Sequence, residues 1–254
     1  MRPSDTISAA IERRVAAGSP ALVGFVTAGY PTRAAFAAQL EAVASACDVV
    51  EIGVPFSDPM ADGATVQRAS FVALQGGVTL PWILAALAER APHATPLLLM
   101  SYLNPLLRFG LESLPAAAAR AGVAGFIVPD LPYEESAELG AALEREGLAL
   151  VQMVSPVTPA PRLARLCAGA RGFVYAVTMT GTTGKWAEVP ESVLEYMDRV
   201  KRVSPVPVCA GFGIRSAAQV KRLAPHVDGV VVASALLEAM ERGEDVRAFL
   251  GSLR

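Results

Sequence analysis

The chain has 254 residues, 53% apolar and 18% charged, which supplies one large core and suits one α/β barrel better than a sandwich. A net charge of −2 without a basic block excludes nucleic acid and anionic lipid as electrostatic partners. Three distant cysteines, Cys47, Cys167 and Cys209, read as reduced, buried thiols of a cytoplasmic protein rather than a disulfide framework. The only histidines, His93 and His226, sit near prolines in predicted loops, so a His-based triad or a zinc site is not expected. The N-terminus lacks the apolar core of a signal segment, and the apolar runs are too short to span a bilayer.

In chain order, Ile7, Ile11 and Val15 form one stripe of a helix that stops at Gly18. It precedes the first strand and is placed to plug an open barrel end. Eight short apolar runs follow, at 21–27, 47–53, 96–101, 123–129, 148–154, 172–177, 206–211 and 227–233. Most are continuous rather than alternating, the pattern of strands buried on both faces in a parallel sheet. Between them, Phe36, Leu40 and Val43 mark one helical face, and Ser216 with Gln219 forms a capping-box pattern. The longest gap, between the second and third runs, has room for an extra helix around 64–76. Repeated β-then-α units predict an α/β fold. The chain is expected to be a single (β/α)8 TIM barrel over residues 1–254, with an extra N-terminal helix and extra helices in βα loops. An open doubly wound sheet is the alternative, but no G-x-G-x-x-G follows the first strand. The unusual loops all follow strands, where a barrel carries its active site.

The stretch "VVEIGVPFSDPMADGATVQ" (49–67) holds the most chemistry. Glu51 interrupts an apolar strand, where an ionised carboxylate loses water and needs a partner or a job. Burial would raise its pKa toward the range of a group that gives and takes a proton near neutrality. A salt bridge to a neighbouring Arg or Lys is the alternative. Asp62 ends the following loop, ahead of Gly63 and a helix from Ala64, and Asp58 lies within "SDP". Both are also ordinary residues for turns or helix caps. Pro55 and Pro59 stiffen this loop, so a carboxylate on it can be held in place. One buried and one rim carboxylate can divide acid and base roles.

Three glycine- or serine-bearing stretches follow the last strands: "TGTTG" (180–184), "AGFGIRS" (210–216) and "VVASALL" (231–237). Glycines let backbone N–H groups approach an anion, and a helix starting at Ser234 adds its positive dipole end, so phosphate is expected here. No Lys or Arg stands out in this cradle, which leaves the holding to amides and hydroxyls. Tyr102 and Tyr175, at strand ends, are either packed core aromatics or a flat wall for an aromatic substrate. Residues 181–186 read as a mobile lid.

"EIGVPFSDPMADGATVQ", "PDLPYEE" and "AGFGIRS", with "FVTAGYP" and "SYLNPLLRFG", closely resemble the tryptophan synthase alpha chain family, in order and spacing from about Gly24 to Leu237. The resemblance implies a (β/α)8 lyase that cleaves indole-3-glycerol phosphate to indole and glyceraldehyde 3-phosphate by a retro-aldol reaction. It implies that Glu51 is the acid–base carboxylate at indole C3 and that Asp62 pairs with the indole N–H. Phe25, Tyr102, Ile127 and Tyr175 would line the indole pocket. Gly184, Gly213, Ala233 and Ser234 would hold the phosphate, with Thr183 on the closing loop. Asp58 and Asp130 would face a beta chain that carries pyridoxal phosphate, in an alpha-beta-beta-alpha heterotetramer, while this chain needs no cofactor or metal of its own. The chain departs from the family's usual pattern in Gly63-Ala64, in Ala233-Ser234 and in "VTMTGTTGKW". At 233 an alanine offers its N–H if φ is negative. The competing readings are a free-standing indole-releasing lyase, another phosphosugar barrel enzyme such as an isomerase, and a non-catalytic subunit that activates a beta chain.

Overall fold

The continuous apolar runs become strands buried on both faces: β1 (Ala21–Thr27), β2 (Val49–Gly53), β3 (Leu97–Met100), β4 (Val123–Ile127), β5 (Ala149–Leu150), β6 (Gln152–Val154), β7 (Val174–Val177), β8 (Val208–Gly211) and β9 (Gly229–Val232). The computed structural model describes residues 1–91, 94–178, 188–211 and 213–254. His93, Thr183, Gly184 and the rest of the predicted lid at 181–186 lie outside the described residues.

All neighbouring strands are parallel, in the order β5-β4-β3-β2-β1-β9-β8-β7-β6. The two ends of that order are halves of one predicted run, 148–154, interrupted at Val151. β5 pairs with β4 and β6 pairs with β7, while the Val151 N–H donates to the Phe126 carbonyl at 2.9 Å. The sheet therefore curls into a barrel that meets itself at this run. The expected uninterrupted fifth strand is corrected to two short pieces, because apolar continuity in sequence says nothing about which edge of a strand finds which partner.

Two apolar layers result. Between strands and helices lies a continuous shell that includes Leu22, Val26, Phe36, Leu40, Ile52 and Phe126. Inside the barrel, Val23, Val49, Leu98, Ile127, Phe173 and Tyr175 pack together, and Ile7, Ala10 and Ile11 of the helix Pro3–Ala16 join them. That helix is tied to the starts of strands: the Ser4 N–H donates to the Gly147 carbonyl at 2.9 Å and the Ser8 hydroxyl to the Gly172 carbonyl at 2.6 Å. It plugs the N-terminal end of the barrel, as its stripe predicts, although Val15 is 40% exposed and lies beyond the contact. The opposite end is left for chemistry.

The long gap after β2 holds two helices, Ala64–Gln75 and Leu80–Ala88, and a short extra helix, Leu103–Phe109, follows β3. The expected capping box is present, with the Ser216 hydroxyl accepting from the Gln219 N–H at the start of Ala217–Leu223. All three cysteines are free and buried. Among the described residues no single helix is long and apolar enough to cross a membrane.

Candidate active site

Side chains alternate along a strand, so Val49, Glu51 and Gly53 share one face of β2. Val49 packs inside the barrel, which points Glu51 inward as well. Its cross-strand neighbours are Phe25 and Leu98. Glu51 is 1% exposed, makes no ion pair among the described residues, and its Oε2 has no hydrogen-bond partner there. The salt-bridge alternative is therefore set aside. Burial, aided by the negative charge of Asp62, pushes the Glu51 carboxyl up to about 8.

The loop between β2 and the helix Ala64–Gln75 carries Asp62 back over this carboxyl. Tyr102 anchors that loop: its hydroxyl accepts from the Ala61 N–H at 2.9 Å and hydrogen-bonds the Asp62 carboxylate, and its ring stacks on Phe56 at 5.1 Å. Burial raises the Asp62 carboxyl to about 6, and the Tyr102 hydrogen bond opposes the rise. Asp130, in the loop after β4, accepts from the Leu103 N–H at 2.9 and 3.2 Å, which caps the helix Leu103–Phe109 and ties two neighbouring loops together. Asp58 is exposed on the loop surface near Met60, itself 75% exposed.

Glu51 and Asp62 line one cavity of about 280 Å³ at the C-terminal end of the strands. Phe25 and Tyr175 form its aromatic walls. Each ring lies against a glycine: a Cβ on Gly53 would sit 2.5 Å from Phe25 Cζ, and one on Gly211 would sit 2.2 Å from Tyr175 Cε1. Gly213, Ala233 and Ser234 line the other end. Gly213 has φ +81°, a conformation that favours glycine, whereas Ala233 has φ −112°, the negative value at which an alanine can stand and offer its N–H. The helix Ser234–Glu241 starts beside them, with the positive end of its dipole toward the cavity mouth. A larger cavity, of about 430 Å³, lies beside Asp130 and Gln152, but it lacks facing carboxylates, so the chemistry places the site in the smaller one.

Among the sequence-derived wall residues, Tyr102 and Ile127 do not line this cavity. Tyr102 faces it through Asp62, and Ile127 is fully buried in the barrel interior, paired across the strands with Met100. The structure adds Met100, Thr65, Arg215 and Glu238 to the lining. Arg215 lines the same end as Gly213, Ala233 and Ser234, where the sequence singled out no Lys or Arg. It was visible in "AGFGIRS", but only the turn after β8 shows that its side chain comes back to the cavity.

A family model described as tryptophan synthase alpha chain matches residues 11–250. The tryptophan synthase alpha chain of Desulfovibrio desulfuricans is 47% identical over 239 residues, covering 92% of this chain and 94% of that one. The alpha chain of Roseiflexus castenholzii is 44% identical over 231 residues, covering 89% and 88%. Among solved structures, Mycobacterium tuberculosis tryptophan synthase superposes with a TM-score of 0.90 at 37% identity, over 97% of this chain and 96% of that one. The tryptophan synthase a2b2 complex of Pyrococcus furiosus gives 0.85 at 34% identity, over 92% and 98%.

Proposed function

The chain belongs to the tryptophan synthase alpha chain family, and on that premise we propose how its own residues divide the work. The reaction is the carbon–carbon lyase step of L-tryptophan biosynthesis, cleavage of indole-3-glycerol phosphate to indole and glyceraldehyde 3-phosphate. Its partner is the beta chain, which carries the pyridoxal phosphate of the alpha-beta-beta-alpha complex.

Glu51, with its carboxyl near 8, is protonated at neutral pH and gives its proton to indole C3. The ring then carries positive charge, which the Asp62 carboxylate, ionised above about 6, stabilises at the indole N–H. Loss of the proton from the glycerol hydroxyl next to C3 forms the aldehyde carbonyl. The carbon–carbon bond breaks, and its electron pair returns to the ring to give neutral indole. Glu51, now a carboxylate inside the same cavity, takes that second proton.

Phe25 and Tyr175 hold the indole between them, and Ile127, buried behind the cavity lining, backs the pocket without touching the ring. Tyr102 acts through Asp62. The amides of Gly213, Ala233 and Ser234 take the phosphate, and Thr183 and Gly184 are assigned to it by the resemblance alone. Asp58 and the exposed Met60 face the beta chain, and Asp130 steadies the adjoining loop. The cellular site in this reading is the cytoplasm.

The observation that carries the reading is the pair of carboxylates in one cavity, held at different pKa values by burial. Glu51→Gln should reduce indole release to near background while glycerol 3-phosphate still binds. Turnover like the wild type would remove Glu51 from the acid–base role.

A further inference from the structure

The cavity presents a charge problem. Beside the protonated Glu51, two further acidic side chains line it, Asp62 and Glu238, and the substrate brings a phosphate ester that is largely dianionic at neutral pH. Backbone amides and a helix terminus supply only partial positive charge. Among the described residues, one cationic side chain lines the cavity, that of Arg215.

Its placement is built in. Arg215 follows Gly213 and Ile214 in the turn after β8, and its N–H donates to Gln219 Oε1 at 2.7 Å, which fixes the backbone. The guanidinium meets the Glu238 carboxylate at two points, Nη2 to Oε2 and Nη1 to Oε1, the latter at 3.3 Å. Glu238 stands one turn into the helix that starts at Ser234, on the same side of it. Thr65, three residues after Asp62, donates to Glu238 Oε1 at 3.3 Å. The pair is partly shielded, with side chains 31% and 24% exposed. A guanidinium has five N–H donors in a planar fork, and Glu238 engages one edge of it.

We propose that Arg215 is a phosphate-binding residue of this site, held beside Gly213 and Ser234 by Glu238 and using its remaining donors on the phosphate of the substrate. This rests on the placement of the phosphate end argued above. Glu238 then has two effects on the anion. It orients the guanidinium, and its own charge works against the incoming phosphate. Arg215 with Glu238 also favours phosphate esters over uncharged analogues, because a neutral ligand would leave the donors that Glu238 does not engage without an anionic partner.

The test is calorimetric titration of the full chain with glycerol 3-phosphate and, separately, with indole. Arg215→Gln should raise the Kd for glycerol 3-phosphate about tenfold, as expected for losing one charge-assisted contact. It should also flatten the dependence of that Kd on salt, while indole binding stays as in the wild type. Arg215→Lys, which keeps the charge and loses the fork, should recover part of the affinity. Glu238→Gln keeps an oxygen for the guanidinium and removes the opposing charge, so it should tighten glycerol 3-phosphate binding about threefold. A merely structural ion pair predicts the opposite sign for that variant. The proposal falls if Arg215→Gln binds glycerol 3-phosphate as the wild type does, or if Glu238→Gln weakens it. Gly213→Val separates the two levels of the argument. If it weakens glycerol 3-phosphate while Arg215→Gln does not, only the role of Arg215 is lost. If it has no effect, the phosphate end itself is misplaced.

Discussion

Glu51 and Asp62 lie in one cavity, yet burial acts on them unequally. Glu51 is sealed within the barrel, and its carboxyl moves up to about 8. Asp62 keeps a hydroxyl partner in Tyr102 and moves only to about 6. In the window between these values Glu51 holds its proton and Asp62 has lost its own, the arrangement that the proposed cleavage needs. The kcat/KM profile should therefore be bell-shaped. Activity falls below about pH 6 as Asp62 takes a proton and above about pH 8 as Glu51 gives one up. Because the two carboxyls interact, the limbs report the pair. Tyr102→Phe removes the bond that holds the Asp62 value down, so the acid limb should move to higher pH while the basic limb stays near 8. An acid limb that did not move would detach Tyr102 from Asp62. The importance of Glu51 is legible from one carboxylate inside an apolar strand. That of Arg215 is not, because an arginine after a strand is usually a solvated one.

At the scale of elements, strand ends and the loops after them set the walls of the site. β8 ends in Gly211 because the Tyr175 ring occupies the space where a side chain would begin. Gly211→Ala should push that ring toward Glu51, raising KM for indole-3-glycerol phosphate by about tenfold and lowering stability by about 1–3 kcal/mol, as overpacking does. Steady-state kinetics and thermal denaturation would check both, and unchanged KM would argue that the ring has no part in holding substrate. The helix Ala64–Gln75, the capping box at Ser216 and the plug helix Pro3–Ala16 follow from local patterns: periodic apolar residues, a hydroxyl before an amide side chain, a glycine stop. The interruption at Val151 follows from none. Its cause is long-range, since the same run must meet β4 on one edge and β7 on the other to complete the barrel.

The whole molecule keeps its two ends separate. Ile7 and Ile11 close the N-terminal end of the barrel interior, on the far side of the inner cluster from the cavity. Ile11→Ala should cost about 2–5 kcal/mol in urea unfolding, the usual result of emptying a fully buried aliphatic position. The native fraction should retain kcat/KM close to that of the wild type. A fall in kcat/KM comparable to that of an active-site variant would mean that the plug helix and the cavity communicate.

The sequence by itself determined the barrel, because strands buried on both faces must be apolar throughout and helices must be apolar on one side, and both patterns are local. It also determined where the carboxylates and glycines fall along the chain, and through its motifs the family. Only the tertiary structure decided which of them meet. Tyr102 came to hold Asp62 rather than line the cavity, Arg215 came back to pair with Glu238 there, and the fifth strand split to serve two neighbours. These outcomes depend on distances between residues far apart in the chain, and such distances are set only when the sheet curls and its loops pack against one another.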